Sequence, residues 1–279
     1  MTASFGARLR AALDAQGPLC VGIDPHAALL DAWGLPQSAE GVRAFGLRVV
    51  EATAGRAGMI KPQVAFYERF GSAGFAALED VFAAARDAGV LIIADAKRGD
   101  IGTTMEGYAD AWLAAGSPLE CDAVTLSPYL GGGSLRAALS TALGAGKGAF
   151  VLAATSNPEG ASVQQAVTPE GQAVARRVVG DVTAVDDARG PLGSVGLVVG
   201  ATIDRRAFGL DDDVLAGVPL LAPGFGAQGA TPEGLRSRFG TLADNVLASE
   251  SRSILTAGPD RIAATIEERA ARYQEVMGG

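Results

Sequence analysis

Ile92-Ile93-Ala94-Asp95-Ala96-Lys97-Arg98-Gly99-Asp100-Ile101-Gly102-Thr103-Thr104 is the stretch on which the reading of this chain turns. The run Val90 to Ala94 is short, apolar and sharply bounded, as a strand covered on both faces would be. Polarity then rises abruptly. Asp95 and Lys97 lie two apart, so on an extended strand they point to the same side. Asp100 follows past Gly99, where the strand should already have ended. Burying such charges is costly. Charges gathered at the end of a buried α/β strand are often a site. The bland alternative is a solvated salt-bridge cluster.

Outward from this stretch the same pattern recurs. Strands are expected over Leu19–Ile23, Gly58–Ile60, Asp122–Leu126, Gly148–Ala154, Val195–Gly200, Val218–Ala222 and Asp244–Ala248. Helices are expected between them: Ser4–Gln16, capped by Ser4 and stopped by Gly17-Pro18; Ala39–Ala54; segments up to Ala88; Thr104–Ala115; and one from Ser134. Later helices are expected around Pro169–Val182 within the long segment Gly160 to Pro191, near Arg205–Ala216, over Pro232–Phe239 and over Pro259–Met277. Phe75, Leu78, Val81 and Phe82 recur at helical spacing and read as core. Eight covered strands alternating with helices predict an α/β chain, a single (β/α)8 TIM barrel in one domain, 1–279. A doubly wound open sheet is the alternative.

Composition narrows the function. The 279 residues are 48% hydrophobic, enough for a sizeable core. No apolar run approaches the roughly 18 residues that span a bilayer, and no signal peptide is read at the start. Two cysteines without a Cys-x-x-Cys pair do not make a disulfide framework, so Cys20 and Cys121 read as buried thiols. A cytoplasmic protein is the default expectation. The net charge of −8 disfavours nucleic acid and anionic membranes as partners. His26 is the one histidine, and no His/Cys ligand spacing points to a metal.

In a barrel, the residues after each strand converge on one mouth, where barrel sites lie. That gathers Asp24, Lys61, Asp95 with Lys97, Ser156, Gln228 and Arg252. Gly224-Phe225-Gly226-Ala227-Gln228-Gly229 matches a dinucleotide fingerprint in letters only, because it follows the seventh strand rather than opening the first βαβ unit. Barrels often hold phosphate after strands 7 and 8. Glycine backbone there can approach an anion, and Arg252 would add a bidentate contact. Ala145-Gly146-Lys147-Gly148 is not a P-loop. The residues thus point to a barrel enzyme for a phosphorylated small molecule. Lys97 could form a Schiff base or donate a proton. The carboxylates of Asp95 and Asp100 favour its ammonium form, and with it the second role.

Asp95-x-Lys97-x-x-Asp100-Ile101-Gly102-x-Thr104 resembles the signature of the orotidine 5′-phosphate decarboxylases. The similarity extends in chain order to Asp24, Lys61, Ser156, Pro223 to Gly229, and Arg252. Lys61-Pro62-Gln63 and Asp95-Ala96-Lys97-Arg98-Gly99-Asp100 resemble the longer bacterial, mycobacterial-type branch. The resemblance implies a homodimeric barrel with shared active sites. It implies decarboxylation of orotidine 5′-monophosphate to uridine 5′-monophosphate and CO2, the last step of de novo pyrimidine nucleotide synthesis, without a cofactor or metal. Lys97 would protonate C6 and stabilise the carbanion. Asp95 would lie near the leaving carboxylate and order the row with Lys61. Asp24 and Lys61 would contact the ribose. Asp100, Ile101 and Thr104 would reach the neighbouring subunit's site. Ser156 and Gln228 would contact the pyrimidine, with Pro223 opening the loop after strand 7. Gly226, Gln228, Gly229 and Arg252 would hold the phosphate.

Two other readings remain. Sugar-phosphate decarboxylases and hexulose-phosphate synthases of the same suprafamily share the Asp-x-Lys-x-x-Asp pattern but use Mg2+ through acidic ligands. Lys61, at the end of strand 2, opposes a metal there. A non-catalytic phosphate-binding barrel would tolerate loss of Lys97.

Overall fold

Eight apolar runs become eight strands: β1 (Leu19–Ile23), β2 (Met59–Pro62), β3 (Leu91–Arg98), β4 (Ala123–Leu126), β5 (Gly148–Ala154), β6 (Val195–Val199), β7 (Leu220–Pro223) and β8 (Val246–Glu250). In the computed structural model, which describes residues 3–186 and 190–278, each strand pairs in parallel with the next. β8 returns to β1, with Leu19 opposite Ala248 and Val21 opposite Glu250. The sheet is therefore a closed barrel in sequence order, not an open one.

The helices are α1 (Phe5–Gln16), α2 (Ala27–Ala32), α3 (Ala39–Thr53), α4 (Ala65–Glu68), α5 (Gly71–Asp87) and α6 (Gly102–Leu113). They continue as α7 (Arg136–Gly144), α8 (Ala161–Gln164), α9 (Val174–Thr183), α10 (Leu235–Phe239), α11 (Arg252–Leu255) and α12 (Ile262–Gly278). Among the described residues, no helix is long and apolar enough to cross a membrane.

Strand side chains alternate, so each strand contributes to the barrel interior every second residue. Cys20, Met59, Ile93, Ala123, Phe150, Val198, Leu221 and Leu247 form one buried layer with Phe5, Leu9 and Leu13 of α1. That helix closes the N-terminal end of the barrel. Ser4 starts it, its Oγ accepting from the Ala7 N–H at 3.3 Å. Phe5 meets Phe150 edge-on, with centroids 6.0 Å apart. The fit needs glycine beneath it: a Cβ on Gly148 would lie 2.2 Å from the Phe5 ring. One step further along the same strands, the alternation brings Lys61, Asp95 and Thr125 inward. The apolar layer is thus the floor of the polar mouth.

Several boundaries differ from expectation. β3 continues to Arg98, with a register irregularity against β4 between Ala94 and Arg98. The helix expected near Arg205–Ala216 is only a 3-10 turn, Arg205–Phe208. Gly209 ends it at φ +70, and Asp211-Asp212-Asp213 is a poor helical continuation. The helix expected from Pro169 begins at Val174, because a bridge between Val167 and Ala173 closes a turn around Gly171. β8 lies two residues later than expected, since Gly240–Asn245 forms a 3-10 turn. In the long Gly160–Pro191 connection, residues 187–189 lie outside the described residues. Cys20 and Cys121 are buried free thiols.

Candidate active site

β2 and β3 lift two lysines and one carboxylate just above the apolar floor. Lys61 Nζ lies 2.9 Å from Asp95 Oδ2. Lys97 Nζ lies 2.5 Å from Asp95 Oδ1. The Lys61 and Asp95 side chains are almost fully buried, whereas Lys97 is 45% exposed and faces the open mouth. Asp95 thus bridges a buried ammonium and an accessible one. Asp100 forms no ion pair with Lys97 among the described residues; its Oδ1 instead accepts from the Ile101 N–H at 2.8 Å. The expectation that two carboxylates flank Lys97 is corrected to one. The chain turns away at Gly99, where a Cβ would lie 2.3 Å from the Ser127 carbonyl oxygen.

Lys97 has a φ of +49, the one positive value outside glycine among the described residues. That conformation costs an L-residue about 1–2 kcal/mol. It persists because its surroundings hold it. The Lys97 N–H donates to Thr125 Oγ1 at 2.9 Å, and the Thr125 hydroxyl donates to Asp95 Oδ1 at 3.0 Å. Next along the chain, Arg98 pairs with Glu68 and lies 5.6 Å from the Tyr108 ring centroid and 5.7 Å from that of Trp112. The strand irregularity and these anchors together aim Lys97 back toward Asp95.

Opposing forces set the charges. Burial alone would raise the Asp95 carboxyl, but the Lys61 and Lys97 ammoniums hold it well below the carboxylate range. Burial alone would lower Lys61, but Asp95 and then Asp24 overcome it and push it above its ordinary value. Beneath them, burial pushes the Cys20 thiol up to about 12, which leaves it protonated and inert at neutral pH.

The other expected residues ring this row. Asp24 follows β1, and its Oδ2 accepts from the Ser251 hydroxyl at 2.5 Å. Its Oδ1 is buried without a hydrogen-bond partner among the described residues. A buried carboxylate oxygen without a donor is costly, so a ligand hydroxyl would find an acceptor there. The Ser156 hydroxyl, after β5, donates to Gln228 Oε1, after β7, at 3.2 Å. Pro223 ends β7, and its carbonyl accepts from the Ala201 N–H at 2.8 Å. Gly226 and Gly229 have positive φ, +72 and +95. Their N–H groups donate to Ala230 O and Gly226 O, which locks the turn from within. Arg252 opens α11 with an exposed side chain and no ion pair among the described residues. Ile101 and Thr104 are exposed and lie outside the row.

Thr125 and Ser251 were not singled out from the sequence. Both sit two residues beyond an inward position, Ala123 and Ser249, so strand parity was the available signal. Among the described residues, no group of three or more His, Cys, Asp or Glu side chains is placed to hold a metal ion.

A closed barrel with a lysine–carboxylate–lysine row at the C-terminal ends of its strands defines a (β/α)8-barrel enzyme. Comparison with known proteins narrows that class. The model of the "orotidine 5′-phosphate decarboxylase / HUMPS family" matches residues 17–265. The chain is 52% identical over 260 residues to the orotidine 5′-phosphate decarboxylase of Salinispora tropica, covering 93% of this chain and 92% of that one. It is 52% identical to that of Streptomyces coelicolor, covering 92% and 91%. The crystal structure of a protein assigned as orotidine 5′-phosphate decarboxylase from Streptomyces avermitilis superposes with a TM-score of 0.94 at 48% identity, covering 100% and 97%. The chain belongs to the orotidine 5′-phosphate decarboxylase / HUMPS family.

Proposed function

We propose that this chain, acting as one domain over 1–279, converts orotidine 5′-monophosphate to uridine 5′-monophosphate and CO2 without a cofactor or metal. The supporting observation is the Lys61–Asp95–Lys97 row, in a chain so similar to named decarboxylases. The substrate carboxylate would lie beside Asp95, whose charge the two lysines maintain. The bond from C6 to the carboxylate breaks, CO2 departs, and the electron pair stays on C6. The Lys97 ammonium would lie where that charge develops, and a charge already in place costs no reorganisation. Lys97 then gives its proton to C6 and is reprotonated from solvent. Asp24, with its unpaired Oδ1, and Lys61 would take the ribose hydroxyls. Ser156 and Gln228 would take the pyrimidine. Arg252 and Gln228 would take the phosphate, on a turn that Gly226 and Gly229 shape while their own N–H groups are engaged within it; its remote binding energy assists the chemistry.

We further propose a homodimer in which Asp100, Ile101 and Thr104 complete the partner's site. Ile101, Tyr129 and Leu130 are 62%, 83% and 54% exposed near the ends of the adjacent strands β3 and β4. Large apolar side chains exposed together mark association surfaces.

The deciding measurement is orotidine 5′-monophosphate turnover by EDTA-treated protein, followed as loss of ultraviolet absorbance. Turnover is expected, with Lys97→Ala folded and inactive. Absence of decarboxylation, or activity only after Mg2+ is added, overturns the proposal.

A further inference from the structure

β8 ends in Glu250, a carboxylate with no exposed surface. The reaction proposed above gives it no task. Burying a carboxylate is tolerated only when it is paired and hydrogen-bonded. Here the Ser253 hydroxyl donates to Oε2 at 2.7 Å and the Tyr273 hydroxyl to Oε1 at 2.6 Å. Arg269 Nε lies 3.3 Å from Oε2. Burial, and then the Glu250 charge, push the Tyr273 phenol above its ordinary range, so it serves as a donor.

The partners of Glu250 lie on two different elements. Arg269 and Tyr273 belong to α12. Ser253 belongs to α11, next to Arg252. The loop after β7 rests on the same point: a Cβ on Gly226 would fall 2.2 Å from Ser253 Oγ and 3.0 Å from Glu250 Oε2. Phe225 meets the Tyr273 ring edge-on, with centroids 5.9 Å apart at 75°. Both loops assigned to the phosphate are therefore seated on one buried carboxylate, which α12 holds from behind.

Resting on the reading of the mouth as a nucleotide site, we propose that Glu250 is a positioning residue for phosphate recognition. It fixes Ser253 and the Gly226 turn against α12, and so sets Arg252 and the Gln228 loop around a 5′-phosphate. An apolar residue would fill the space but leave the Ser253, Tyr273 and Arg269 donors without their acceptor.

The test is calorimetric binding of uridine 5′-monophosphate and of uridine to the full chain and its variants. Glu250→Gln is expected to weaken the nucleotide about tenfold, the loss of one charge-assisted contact, and to leave uridine binding unchanged. Tyr273→Phe keeps the ring on Phe225 and removes only the hydroxyl. It should shift the nucleotide in the same direction by a smaller factor. If Glu250→Gln does not fold, Tyr273→Phe and Ser253→Ala decide the matter by the same ratio. Equal weakening of both ligands, or no change in either, overturns the proposal. So does wild-type protein that binds the two equally. Wild-type protein that prefers the nucleotide yet decarboxylates nothing removes the reaction proposed above and leaves this role standing.

Discussion

Lys97 combines a charge with a backbone angle that its Cβ disfavours. Glycine adopts φ +49 without that penalty. Lys97→Gly should therefore unfold at higher urea than Lys97→Ala, by about 1 kcal/mol, although both lack the amine. Equal midpoints would mean that the angle relaxes once the side chain is gone. Lys61 gives a different expectation. Removing one member of a buried ion pair costs about 3–5 kcal/mol, so Lys61→Ala should lower stability on that scale in denaturant titration. The pH dependence follows from the same row. Asp95 is depressed in the fold, so its contribution is full above the ordinary carboxylate value of about 4 and is lost as pH falls below it. Lys61 is raised, so its contribution is full below about 10.4 and is lost as pH climbs beyond that. Thermal unfolding across pH should show both edges, and Lys61→Ala should erase the alkaline one. These charges were legible because a strand places i and i+2 together. Thr125 was not, because threonine is an ordinary strand residue and its tie to Lys97 depends on a register irregularity that no local pattern announces.

At the scale of elements, α1 packs closely on the barrel floor. Gly148→Ala would drive a methyl into the Phe5 ring. Overpacking of this kind costs about 1–3 kcal/mol, which a denaturation midpoint would report. Rotation of Phe5 alone does not relieve it, because the same methyl would lie 2.6 Å from the Ser194 carbonyl oxygen; an unchanged midpoint would mean that the backbone at Gly148 and Ser194 gives way. The strands were readable from sequence because both faces are covered, which makes each a short apolar block. The ends were less so. β8 was expected to stop at Ala248, and Glu250 then read as part of a loop; the 3-10 turn over Gly240–Asn245 moves the strand on and buries that carboxylate. The supposed Arg205–Ala216 helix failed for a local reason, Gly209 in a left-handed conformation.

At the scale of the molecule, the charged row belongs to one chain and the Asp100–Thr104 segment points away from it. Mixing Lys97→Ala with Asp100→Ala subunits should restore part of the lost turnover if each site draws on two chains. Mixtures no more active than either parent would confine Asp100 to its own subunit. Barrel closure has a further consequence, for the order in which the chain folds. β1 needs β8 as its second neighbour, through pairs such as Leu19 with Ala248. During synthesis β1 therefore leaves the ribosome long before that neighbour exists, and its free edge can pair with other chains. Ribosome-stalled chains ending before Val246 should be open to proteolysis and should depend on chaperones. Protection should come in one late step, once β8 has emerged.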